Sequence, residues 1–135
     1  MATITASYTI VERPAPTRYV QKQHLRSSWE LVRVTWAAIG DADTCTDEPI
    51  GHLVDKSVHV YGTFGGATVV IQGSDEVTPS ERVTLNDSRG EGNPLSFTAL
   101  DLRQVLEITA FVRPSSTGGG GSSTTVSIVG RVPLT

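Results

Sequence analysis

The chain is nearly without cysteine. Cys45 stands alone among 135 residues, so no internal disulfide can form and no thiolate set can hold zinc. Lysine is almost as scarce: Lys22 and Lys56 are outnumbered by nine arginines scattered along the chain, and the formal net charge is −3. A protein that grips nucleic acid through its phosphates concentrates more positive charge than this, so nucleic acid is not expected as a partner. Four of the eleven basic residues fall between Arg13 and Arg26, a mildly basic stretch better suited to an acidic protein surface. Aromatics make up only 6% of the residues, too few for a sugar-stacking platform to stand out. No apolar run approaches the roughly 18 residues of a membrane-spanning helix. The first residues lack both a charged segment and a continuous apolar stretch, which argues against a signal peptide and for synthesis in a cytoplasm. Asn86-Asp87-Ser88 matches the glycosylation pattern but reads as a turn in that setting.

What the sequence has in quantity is Thr, Ser, Val and Gly, with apolar residues recurring at every second position, as half-buried strands require. Residues 3–11 alternate Ile4, Ala6, Tyr8 and Ile10 against threonine and serine. Residues 12–28 are polar, basic and marked by Pro14 and Pro16, and read as an extended arm. Residues 29–38 alternate again around Val32, Val34 and Trp36, with Trp29 and Trp36 as core candidates. An acidic loop follows, carrying Asp41, Asp43, Asp47 and Glu48. Two runs, 57–64 and 67–73, flank Gly65-Gly66, which points to a hairpin closed by a tight primed turn. Residues 82–86 suggest a short strand with Val83 and Leu85 inward. Residues 86–94 are turn chemistry, 95–98 a weak strand and 99–104 one helical turn. Residues 105–113 alternate Leu106, Ile108, Ala110 and Val112, ended by Pro114. Residues 115–123 enclose four glycines and read as a flexible loop, and 124–132 form the last strand. The expected core is Val58, Val60, Val69, Ile71, Leu106, Ile108, Val126 and Ile128.

About six firm strands without a helix-length spacer predict a single all-β domain over residues 1–135. The expected architecture is an antiparallel β-sandwich, jelly-roll-like, with an extended N-terminal arm and long loops; a six- to eight-stranded barrel is the runner-up.

No residue qualifies as catalytic, cofactor-binding or metal-ligating. His24, His52 and His59 lie on separate segments without ligand spacing. The acidic loop offers oxygen ligands, but not at the offsets of a calcium loop. No Gly-x-Ser-x-Gly elbow occurs, and Gly118 to Gly121 lead into Ser-Ser-Thr without the Gly-Lys of a phosphate loop. No enzyme and no cofactor are expected.

The segment 57–75, SVHVYGTFGGATVVIQGSD, is similar to one found in small structural proteins of tailed bacteriophages. So are residues 83–87, 95–98, 105–107, 111–114 and the closing strand to Arg131, with a weaker likeness at 36–40. In place of the short Asn-Asp-Gly-type turn of such proteins, this chain has residues 74–81; the arm at 12–28 has no counterpart. The resemblance implies a virion protein of the jelly-roll capsid cement or decoration type. Such a protein binds the major capsid protein on the outside of the head, often as a homo-oligomer of two or more copies, without nucleic acid or membrane. Another virion part (tail, adaptor or fibre-associated) and a carbohydrate- or receptor-binding module are the alternatives.

Overall fold

The structure, a computed structural model, describes residues 1–12, 28–76 and 78–134. The expected arm at 12–28 therefore lies outside the described residues, except that Glu12 closes one strand and Ser28 opens the next.

All regular elements among the described residues are strands. In chain order they are β1 (Thr3–Ile4), β2 (Ser7–Glu12), β3 (Ser28–Ile39), β4 (Thr44–Cys45), β5 (Val54–Thr63), β6 (Ala67–Ser74), β7 (Val83–Thr84), β8 (Ser96–Phe97), β9 (Asp101–Gln104), β10 (Phe111–Gly118) and β11 (Ser123–Leu134). One antiparallel sheet runs β2-β3-β11-β5-β9; the other runs β10-β6, with β7 and β8 both on the far side of β6. A short parallel ladder joins β1 to β4. This is the expected antiparallel sandwich.

The registers explain the core. Val34, Ile128 and Val58 lie in one row across β3, β11 and β5; Trp36, Val126 and Val60 lie in the next. All six are fully buried. Val69, Ile71, Phe97 and Val112 close on them from the other sheet. Cys45 of β4 and residues between strands complete the layer: Ile50, Leu53, Leu85, Leu95 and Val105. Burial of each large side chain stabilises the fold by about 1.5–3 kcal/mol before chain entropy is set against it.

Three bulges shape the larger sheet; one puts an extra residue, Val11, into β2, where Ile10 and Glu12 face Val32 and Leu31 of β3. Between Trp36 and Ile39, β3 carries one residue more than β11, and Ala38 takes φ +55° there. Between Val54 and Ser57, β5 carries one more than β11, and Asp55 takes φ +52°. A non-glycine residue at positive φ is uncommon, and bulges are where it is tolerated. Lys56, just after the bulge in β5, faces inward in alternation with Val58 and Val60.

Several expectations are corrected. Strands β5 and β6 do not form a hairpin: they belong to opposite sheets, and Gly65-Gly66 carries the chain across the sandwich. Gly65 and Gly66 do take positive φ, 56° and 85°, and the Ala67 amide donates to the Phe64 carbonyl at 2.8 Å. The turn is tight as expected, but it joins strands facing each other through their inner side chains. The β10–β11 crossover lies beside it, with the Gly120 amide donating to the Gly65 carbonyl at 2.9 Å.

The run 3–11 breaks at Thr5-Ala6, where the chain leaves the β1–β4 ladder for the main sheet. Residues 101–104 are strand β9, not a helical turn. In the run 105–113 only Val105 and Val112 reach the core. Leu106 and Ile108 are 46% and 71% exposed, because the chain leaves β9, meets Asp87 and Asn86, and bends back before β10. Val83 is exposed while Leu85 is buried.

Pro114 does not end a strand; it sits inside β10, opposite Ile71. The Ile71 amide donates to Leu95 on the far side of β6, so the Ile71–Pro114 pair exchanges no hydrogen bond. The missing proline N–H therefore faces the outer edge, where it costs no ladder bond. Residues 115–118 of the expected flexible loop belong to β10.

Candidate interaction surfaces

The acidic loop gathers four carboxylates in sequence, and the fold gives each its own partner. Asp41 accepts from the Gly121 amide (2.8 Å), the Ser122 amide (2.9 Å) and the Ser122 hydroxyl. The Ser122 hydroxyl, then those amides, hold its carboxyl below the usual carboxylate range. The loop at 119–122 is thereby tied down. Asp43 accepts from the Gly40 amide (2.7 Å) and the Ala2 amide (2.9 Å), which likewise lower its carboxyl. Asp47 receives a bidentate guanidinium from Arg82, at 2.9 and 2.5 Å. Glu48 accepts from the Tyr8 phenol and the Thr46 hydroxyl, both at 2.7 Å. Each carboxylate ties a different segment to the loop. Among the described residues no three His, Cys, Asp or Glu side chains gather as a metal set.

Cys45 is buried, and desolvation pushes its thiol up to about 12, so it is held as the unreactive thiol. His59 lies on the outer face of β5, its ring 4.8 Å from that of Tyr61. His52 lies in the turn before β5.

A cleft of about 530 Å³ is lined by residues 73–76, 81–83 and Thr109. Its polar groups are engaged with one another. Glu76 accepts from the Ser80 and Glu81 amides, and Asp75 accepts from the Ala110 amide. A second hollow, about 260 Å³, lies on the outer face of the five-stranded sheet between Arg33, Ser57, His59, Tyr61, Leu102 and Ser127.

Lys56 is the one buried cation among the described residues, 3% exposed, with its ammonium donating to the Leu53 carbonyl at 3.0 Å. Gly130 of β11 makes room for its stem: a Cβ there would come within 3.2 Å of Lys56 Cγ. Desolvation lowers the ammonium's pKa. The folded state thus penalises the charged form. The penalty is complete below the folded pKa and fades as pH rises from there to the ordinary lysine value, above which the group is neutral folded or unfolded. Lys56→Met is expected to raise stability at pH 7 by about 1–2 kcal/mol. That gain should shrink between pH 9 and pH 11 in urea titrations, two values bracketing the ordinary lysine pKa near 10.4.

Exposed apolar side chains concentrate on the two ends of the five-stranded sheet. Tyr8, Ile10 and Val11 on β2 are each about half exposed; Leu100, Leu102, Leu106 and Ile108 lie on and around β9. A sandwich that meets neighbours through its strand edges and loops has this distribution.

No known protein family and no curated protein sequence matches the chain. Its fold does have a counterpart among solved structures. The SPBc2 prophage-derived protein YomS superimposes with a TM-score of 0.52 at 15% sequence identity, over 73% of this chain and 93% of that one. The likeness is one of fold. It spans nearly the whole of the prophage-derived protein, so the sandwich and not a lone hairpin is shared.

Proposed function

We propose that this chain is a non-enzymatic structural component of a tailed-phage particle. In the finer form of that reading it is a cement or decoration protein that binds the major capsid protein on the outside of the head. The observation that carries the reading is the fold shared with a prophage-derived protein. The strand order lends support to a jelly-roll origin. Taking β3 as the first of eight strands, one sheet reads first, eighth, third, sixth (β3-β11-β5-β9). The other reads second, seventh, fourth, fifth: the segment at Glu48, then β10, β6 and the β7/β8 pair. Two interleaved Greek keys produce that order. The arrangement of charge fits as well. Carboxylates are spent on fixing loops, and exposed apolar groups sit at sheet edges, as in a rigid body that works by fitting against neighbours.

Counting copies on purified particles by quantitative mass spectrometry tests the reading. A cement protein is present in the hundreds; a tail or adaptor protein is present in about six or about twelve copies, the numbers of cyclic rings. Absence from particles removes the virion reading altogether. The arm gives a second test. Because Glu12 stands opposite Leu31, deleting residues 13–27 leaves ends that a short turn can rejoin. The shortened protein is expected to keep its melting temperature while its occupancy on particles falls about tenfold; unchanged occupancy rules the arm out as a contact.

The adjoining, mutually tilted rings of His59 and Tyr61, beside Arg33 and Ser127 on the open sheet face, favour a carbohydrate-binding module as the second reading. Retention on a glycan array, lost on Tyr61→Ala, separates it from the first.

A further inference from the structure

Open sheet edges expose unpaired N–H and C=O groups, and proteins usually guard them with proline, charge, brevity or a covering loop. Three of the four edges here are guarded. On β10, Glu48 exchanges backbone hydrogen bonds with Val112 at 2.9 and 3.0 Å, and Pro114 removes a donor further along. Strand β9 has only four residues; the Asp101 carboxylate takes the Leu102 amide at 2.8 Å, and Asn86 and Asp87 cover its continuation. Strands β7 and β8 have two residues each.

Strand β2 is different. It has six residues, pairs only with β3 among the described residues, and carries no proline and no charge from Ser7 to Val11; its bulge falls at Val11 and leaves Ser7 to Ile10 in unbroken register. Tyr8, Ile10 and Val11 are 49%, 50% and 47% exposed. These five residues are also complementary to themselves. An antiparallel pair related by a two-fold axis perpendicular to the sheet must centre on a residue, because opposed side chains share a face. Centred on Thr9, it sets Tyr8 against Ile10 of the second copy, twice, and Thr9 against Thr9. Aromatic against β-branched, and threonine against threonine, are favourable cross-strand pairs. Centred on Tyr8, the register leaves Val11 unopposed by any strand residue. Centred on Ile10, it sets Tyr8 against Glu12. The Thr9 register covers the most apolar surface.

We infer that β2 is a self-association edge: two copies of this chain pair their β2 strands antiparallel about Thr9 and join their five-stranded sheets into one. The inference is independent of the particle reading. A dimer in solution supports it whatever the copy count on particles, and a monomer overturns it without touching that count.

The test uses the full-length chain. Sedimentation equilibrium from about 1 µM to about 1 mM, the range in which modest interfaces dissociate, is expected to show a monomer–dimer equilibrium. Ile10→Lys is expected to weaken it at least about tenfold with an unchanged melting temperature, since Ile10 is half exposed in the monomer. Thr9→Cys fixes the register. Directly opposed Cα atoms lie about 4.5–5.5 Å apart, within disulfide reach. Mild oxidation is expected to give a covalent dimer, and buried Cys45 does not compete. Ser7→Cys is the control: its two sulfurs would sit about four residues, roughly 13 Å, apart along the strands and are expected not to bridge. A wild-type chain monomeric throughout that range overturns the inference, as does cross-linking of Ser7→Cys at the rate of Thr9→Cys.

Discussion

Trp36→Ala is expected to lower the unfolding free energy by about 3–5 kcal/mol, the largest loss for any single side chain described here. Trp36 is the bulkiest fully buried residue, and it stands in the row with Val126 and Val60 at the centre of the five-stranded sheet. Truncation removes its transfer free energy and leaves a cavity that rigid strands on both sides cannot close. A second loss comes with it. The indole Nε1 donates to the Thr46 carbonyl at 3.0 Å. Thr46 in turn donates its amide to the Ile4 carbonyl and its hydroxyl to Glu48, and accepts from the Ala6 amide. The tryptophan therefore anchors the segment that holds β1 and the start of β2.

Trp36→Phe separates the two contributions. It keeps most of the apolar volume and strands the Thr46 carbonyl, so a cost of about 1–3 kcal/mol is expected. Urea unfolding followed by far-UV circular dichroism measures both. A loss below about 1 kcal/mol for Trp36→Ala would place the side chain outside the core.

How far such a core can be read in advance depends on which part of it is asked for. Val58, Val60, Val69, Ile71, Val126 and Ile128 are all buried, as their alternation requires. Period-two spacing is a local signal, and these six lie in strands long enough to carry it. Leu106 and Ile108 alternate just as well and face solvent, because tertiary pairing with Asn86 and Asp87 bends their segment out of the ladder. Ile50 and Leu53 are fully buried without belonging to any run, so no periodicity marks them.

Partnership between strands was harder still. A pair of glycines between two alternating runs admits a hairpin and a crossover between sheets equally well, since both need positive φ and a reversal of direction. What decides is whether β5 finds β6 or finds β11 and β9, whose paired residues lie 60 to 77 and 41 to 47 positions further along the chain. The acidic loop shows the same limit from the side of chemistry. Four carboxylates within eight residues suggest a shared ligand, but each has its own donor from a distant segment: Ser122, Ala2, Arg82 or Tyr8. No spacing rule contains those partners. The exposed edge of β2 was half visible. Its alternation was clear, but that it ends a sheet follows only from the strand order.

Two glycines with similar backbone angles separate strain from collision, and the second large effect rests on them. Gly62, at the end of β5, has φ +114°; Gly90, in the turn after Asp87, has φ +108°. An added Cβ at Gly90 meets nothing within 4 Å. At Gly62 it would lie 2.4 Å from the Ser123 carbonyl oxygen and 3.1 Å from Thr124 Cα, both backbone atoms of β11. Thr124 is the direct partner of Gly62 in the ladder, so neither strand can move aside without giving up pairing. Gly90→Ala is expected to cost about 1–2 kcal/mol, the price of an L-residue at that φ, offset in part by the stiffer unfolded chain. Gly62→Ala carries the same strain and the overlap besides, for about 3–5 kcal/mol. The difference between the two variants in urea unfolding reads the contact between β5 and β11 alone. Equal losses would mean that the strands part freely at this end; a larger loss at Gly62 fixes the β5–β11 pairing as the seam on which the larger sheet depends.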